Sequence, residues 1–90
     1  MSHAEIYARV REFLTESFLY MRPDFVLRDD TPLLQGGVLD SMGIMELVAF
    51  LEEELGVRVP DADLTEENLG SLDGIVRFVS RGLRSDSVAA

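Results

Sequence analysis

The chain has no cysteine, no lysine, one histidine (His3) and three prolines among its 90 residues. Without cysteine there is no disulfide, no thiolate metal site and no protein thiol, and the cytoplasm is the expected compartment. Without lysine, and with its one histidine beside the terminus, the chain offers no ready base to activate a nucleophilic serine. No apolar run approaches the roughly 20 residues that span a bilayer. The opening Met1-Ser2-His3-Ala4-Glu5 lacks the basic segment and apolar core of a signal peptide. The acidic clusters lack the ligand spacing of a calcium-binding loop, so no metal is expected.

Hydrophobic residues make up 47% of the chain and charged residues 28%, which fits one folded soluble domain. A domain of this size buries only about 60–65% of the surface its unfolded chain exposes, so its core is small. The net charge of −9 is unevenly spread. Residues 1–28 hold four arginines and four acids. Residues 29–73 hold twelve acids and only Arg58. Residues 74–90 hold three arginines and one acid. The central acidic field repels nucleic acid and anionic membranes and steers basic proteins inward.

Apolar periodicity predicts an all-α fold. Ile6, Val10, Phe13, Leu14 and Phe18 recur at spacings of three and four, predicting a first helix over 4–21. Ser2 and Glu5 offer it a capping box, and Pro23 closes the segment. Residues 23–40 form a long connection with turn signals at Thr31-Pro32 and Gly36-Gly37. Phe25, Val26, Leu33, Leu34, Val38 and Leu39 are expected to pin it to the core. A second helix starts near Asp40 or Ser41 and reaches Leu55, with Gly56 as its stop. Asp40 is its expected N-cap. Ile44, Leu47, Val48, Leu51 and Leu55 form the inward stripe, while Met42, Met45 and Ala49 share another edge beside acids. Val57-Arg58-Val59 is briefly strand-like. A short third helix is expected over 65–69, capped by Asp63 or Thr65. Ser71 caps a last helix to about Arg81, with Leu72, Ile75, Phe78 and Val79 inward. Gly74 weakens that helix by about 1 kcal/mol relative to alanine. The domain is expected over 1–84, with a flexible tail over 85–90.

Ser41 carries the functional question. As a nucleophile it lacks partners, and the Gly-x-Ser-x-Gly elbow is incomplete because Leu39 stands at the first glycine position. Asp40-Ser41 is also an ordinary way to begin a helix. A third reading makes Ser41 an attachment point. Its hydroxyl projects from a helix N-terminus, where unpaired N–H groups favour a phosphate. Small neighbours, Gly37 and Gly43, leave room for an approaching enzyme.

The run Leu33-Leu34-Gln35-Gly36-Gly37-Val38-Leu39-Asp40-Ser41-Met42 resembles the attachment region of acyl and peptidyl carrier proteins. Glu46-Leu47-Val48, Leu51-Glu52-Glu53-Glu54-Leu55-Gly56-Val57 and Val59-Pro60-Asp61 extend the match. Leu64, Glu67-Asn68-Leu69, Ser71-Leu72, Ile75 and Phe78-Val79 complete it over about residues 5–82. The resemblance implies a small four-helix carrier bundle of three main helices and a short third one. It implies that Ser41 receives 4′-phosphopantetheine from coenzyme A through a separate magnesium-dependent phosphopantetheinyl transferase, with Asp40 and Met42 beside the arm. The arm's thiol then holds cargo as a thioester, and the carrier itself catalyses nothing. Tethering replaces diffusion with a high local concentration.

The same resemblance implies that the second helix docks partners. Met42, Met45 and Ala49 supply an adaptable apolar contact, and Glu46, Glu52 and Glu53 supply charge. The partners implied are the transferase, a loading ligase or acyltransferase, and downstream synthase or tailoring enzymes. The carrier is expected to be a monomer with no membrane insertion. Fatty-acid-synthase carriers commonly place an acid two positions after the serine, where this chain has Gly43. That departure, with Thr31-Pro32-Leu33-Leu34, is more similar to discrete carriers of aminoacyl, D-alanyl or secondary-metabolic units (polyketide or nonribosomal peptide). A housekeeping fatty-acid carrier and an unmodified helical interaction module are the alternatives.

Overall fold

The structure, a computed structural model, describes residues 1–89, with side chains through Leu83. Four helices follow in order: α1 (His3–Phe18), α2 (Ser41–Glu53), α3 (Glu66–Leu69) and α4 (Leu72–Ala89). A single 3-10 turn at Asp61–Asp63 lies between α2 and α3, and the described residues contain no strand. This is the expected small helical bundle.

Ser2 caps α1, its Oγ accepting from the Glu5 N–H at 3.1 Å while its hydroxyl donates to the Glu5 carboxylate at 3.3 Å. Ile6, Val10 and Leu14 form a buried line at four-residue spacing, with Phe13 and Phe18 half-buried at its edge. The helix ends three residues short of Met21. Leu19 leaves helical geometry and turns its side chain into the core. Arg22 and Phe25 then continue as successive turns, their N–H groups bonding to Leu19 and Arg22 carbonyls.

The long connection is tied down rather than free. The Leu33 N–H bonds to the Gly70 carbonyl at 2.7 Å, and the Asp73 N–H to the Asp29 carbonyl at 2.9 Å. Gln35 donates to the Glu66 carboxylate at 2.7 Å. Leu27, Leu33, Val38 and Leu39 are buried, and Phe25 and Leu34 half-buried. Val26, expected in the core, is 68% exposed. Neighbouring residues of an extended segment point opposite ways, and Leu27 takes the inward place.

Gly56, at φ +71, turns the chain out of α2, and the Val57 N–H reaches back to the Leu51 carbonyl at 3.0 Å. Val57 and Val59 are buried on either side of exposed Arg58. That is strand-like alternation with no partner strand to pair with. Thr65 Oγ caps α3 by accepting from the Asn68 N–H at 3.2 Å, and Ser71 Oγ caps α4 by accepting from the Gly74 N–H at 3.1 Å. A Cβ on Gly74 would lie 2.6 Å from the Glu67 carbonyl oxygen. The glycine that weakens α4 in isolation therefore lets α3 pack against it.

Leu72, Ile75, Phe78 and Val79 face inward as expected, joined by Val76. The α4 backbone runs on to Ala89, past the expected stop at Arg81. No proline interrupts it, and Gly82 lacks the positive φ of a terminating glycine. The side chains of the expected 85–90 tail, and residue 90 itself, lie outside the described residues. One core cluster joins α1, α2, α4 and the connections, and it fixes where α2 begins.

Candidate functional site

The site is built by the turn that delivers the chain to α2. The Gly36 N–H bonds to the Pro32 carbonyl at 3.0 Å, and Gly37 takes φ +77, open only to residues that tolerate left-handed backbone. The chain doubles back so that the Val38 and Leu39 N–H groups both reach the Leu33 carbonyl, at 2.9 and 3.0 Å. Val38 and Leu39 are buried; Asp40, Ser41 and Met42 are exposed. The burial of two apolar residues thus forces the next three outward.

Asp40 is the N-cap. Its Oδ1 accepts from the Gly43 N–H at 2.7 Å, and its carbonyl accepts the first helical bond, from the Ile44 N–H at 2.9 Å. Of the N–H groups in the first turn, Gly43's is taken by Asp40, while those of Ser41 and Met42 precede the first helical donor. Ser41 opens a helix of 13 residues, whose positive end stabilises an anion on its hydroxyl. The Asp40 carboxylate offsets part of that field and is itself held to the helix by the Gly43 bond. The arrangement fits a phosphodiester on Ser41, with its charge beside the Ser41 and Met42 N–H groups. His3 lines a hollow with Arg77, Ser80 and Arg81, away from Ser41.

Ser41, Met42, Met45, Glu46 and Ala49 together line a shallow hollow of about 550 Å³ on the outer face of α2. Met42 is 76% and Met45 60% exposed, so neither is a core residue. Glu53 is exposed one turn beyond Ala49. Glu52, also exposed, makes a contact within the chain. Its carboxylate accepts from the Val59 N–H at 3.1 Å, and so fastens the end of α2 to the segment leaving it.

Gly43 differs from the expectation. It is buried, and a Cβ there would lie 3.1 Å from the Phe18 ring, 3.3 Å from Asp40 Oδ1 and 3.4 Å from Leu39 Cδ2. It serves close packing against α1, not access to Ser41. Phe18 meets Phe13 edge-on, with centroids 5.7 Å apart, and Phe13 stacks on Phe50 at 4.2 Å. Sequence reasoning missed this aromatic link between α1 and α2. Its signal was three phenylalanines at the edges, not the centres, of their helical stripes. Near the N-terminal end of α1, the Tyr7 hydroxyl donates to the Asp29 carboxylate at 2.6 Å. That bond is lost with the proton, so the Tyr7 pKa is raised above its ordinary 10.0.

The family model described as "Phosphopantetheine attachment site" matches residues 9–79. The D-alanyl carrier protein of Streptococcus sanguinis is 34% identical over 76 residues, covering 84% of this chain and 92% of that protein. The acyl carrier protein of Campylobacter hominis is 32% identical over 75 residues, covering 83% of this chain and 90% of that protein. The D-alanyl carrier protein of Streptococcus gordonii is 33% identical over 76 residues.

Proposed function

This chain belongs to the family of phosphopantetheine-binding carrier proteins, and from that premise we propose that Ser41 is the attachment point and the outer face of α2 the partner surface. Its cofactor is covalently attached 4′-phosphopantetheine. The observation that carries the assignment of Ser41 is its position. It is an exposed hydroxyl on the first residue of a helix, beside a capping carboxylate and at the rim of an apolar hollow.

In the loading step the Ser41 oxygen forms a phosphodiester as the pyrophosphate of coenzyme A breaks. The serine proton passes to a base of the transferase and the nucleotide portion leaves. Once attached, the arm supplies a thiol that can hold an acyl group. This chain's residues do the rest. Asp40 fixes the first turn, the Ser41 and Met42 N–H groups would be the donors available to the phosphodiester, and Met42, Met45 and Ala49 would meet an apolar side chain of the partner. Glu46 and Glu53 add charge steering, each exposed pair contributing only about 0.2–1 kcal/mol. Glu52 is assigned to holding Val59 rather than to docking. The chain has no catalytic role of its own.

The cargo is an acyl or aminoacyl unit, loaded by a ligase or acyltransferase and passed to synthase or tailoring enzymes of a specialised pathway in the cytoplasm. Relatives named as D-alanyl and as acyl carriers support an acyl or aminoacyl cargo. No helix among the described residues is long and apolar enough to cross a membrane. Intact-protein mass after incubation with coenzyme A and a broad-specificity transferase tests the attachment. Wild type should gain one arm and Ser41→Ala none; no gain in wild type, or a gain in the variant, sinks the assignment. A panel of ligases with acyl and amino acids, read as mass on the arm, identifies the cargo.

A further inference from the structure

Resting on Ser41 as the attachment point, we propose that Gly43 and Phe18 form a positioning pair that sets the pose of Ser41 for loading. Glycine is a poor choice in the first turn of a helix, where it weakens α2 and supplies no side chain. The surroundings supply a spatial reason for it. A Cβ at position 43 would meet the Phe18 ring edge at 3.1 Å, and two further atoms almost as closely. One of those atoms is Asp40 Oδ1, at 3.3 Å, which accepts from the Gly43 N–H at 2.7 Å. Any side chain at 43 therefore presses on the cap and on Phe18 at once.

Phe18 is half-buried, and aromatic packing limits its retreat. Its ring is held edge-on by Phe13, and Phe13 is stacked on Phe50 of α2. The other close atom belongs to Leu39, which is buried. With both neighbours fixed by packing, the strain of a methyl group falls on the Asp40 cap and the turn bearing Ser41. Displacement of a reacting oxygen by a few tenths of an ångström lowers turnover more than binding. The docking residues Met42, Met45 and Ala49 lie on the opposite, exposed face of α2, so partner affinity is spared.

The test compares wild type, Gly43→Ala, Phe18→Leu and the double variant as substrates of a phosphopantetheinyl transferase, with Ser41→Ala as blank. Gly43→Ala is expected to lower kcat for loading about five-fold with KM for the carrier within about two-fold. Its helical circular dichroism should stay at the wild-type level. Phe18→Leu removes the ring edge, so the double variant should recover most of the lost kcat although Phe18→Leu alone lowers Tm. Loading of Gly43→Ala at the wild-type rate, a defect confined to KM, or a double variant no faster than Gly43→Ala would each overturn the positioning role. If instead wild type itself fails to load, the attachment reading falls, and the two failures are distinguishable.

Discussion

At Asp40 two demands meet on one side chain. Its carboxylate satisfies the Gly43 N–H, and it adjoins Ser41, the proposed attachment point. An N-cap aspartate is worth about 0.5–2 kcal/mol relative to alanine. Asp40→Ala should therefore lower stability by about 1 kcal/mol and slow loading, while Asp40→Asn should keep most of the stability. Chemical denaturation with loading kinetics on both variants checks this; equal loss of stability in both would show that charge, not capping, dominates. Tyr7 makes a separate prediction. Its folded pKa is raised above 10.0 by the bond to Asp29, so that contribution is complete below about pH 10 and is lost as pH rises through the folded value. Tyr7→Phe should lack this alkaline component, measured as Tm against pH from neutral to strongly alkaline.

The acids of α2 stand in two settings. Glu46 lines the outer hollow, while Glu52 accepts from the Val59 N–H. Glu46→Lys should weaken partner binding at low salt and leave Tm nearly unchanged, since an exposed charge reversal away from partners costs little. Glu52→Lys should instead lower stability by about 1 kcal/mol, and Tm with it, because the bond from the N–H of buried Val59 is lost. Thermal denaturation and transferase KM on the two variants separate the two roles; a Tm loss in Glu46→Lys, or none in Glu52→Lys, would reverse them. The helices themselves were legible from local patterns. Ser2, Asp40, Thr65 and Ser71 all cap where their side chains suggested, and the hollow collects Ser41, Met42, Met45, Glu46 and Ala49 from helical spacing alone. What escaped was tertiary. Whether Glu52 faces solvent or an N–H seven residues on depends on the path after Gly56. Whether Val26 or Leu27 faces in depends on the register of an irregular segment. Gly43 could be read as small but not as pressed against Phe18, because that contact joins residues 25 positions apart.

Over the whole molecule, charge and shape act together on association. The twelve acids between residues 29 and 73, against one arginine, sit in the part of the chain that contains α2 and its apolar hollow. In the proposed docking, apolar contact at Met42 and Met45 would supply affinity at short range, whereas the acidic field would act before contact and raise the encounter rate. The two contributions separate by ionic strength, because the field is screened beyond roughly 10 Å at 0.1 M salt and apolar burial is not. Raising salt from about 50 to about 500 mM should slow association with a phosphopantetheinyl transferase roughly ten-fold, with dissociation changed far less. Met45→Ala should do the reverse, speeding dissociation at every salt concentration while leaving the salt slope intact. Glu46→Lys/Glu53→Lys should flatten the slope without altering the salt-independent part. Stopped-flow association on the three proteins decides the matter: a slope unchanged in the glutamate double variant would move the steering charge off α2, and a dissociation rate unchanged in Met45→Ala would remove the hollow from the docking surface.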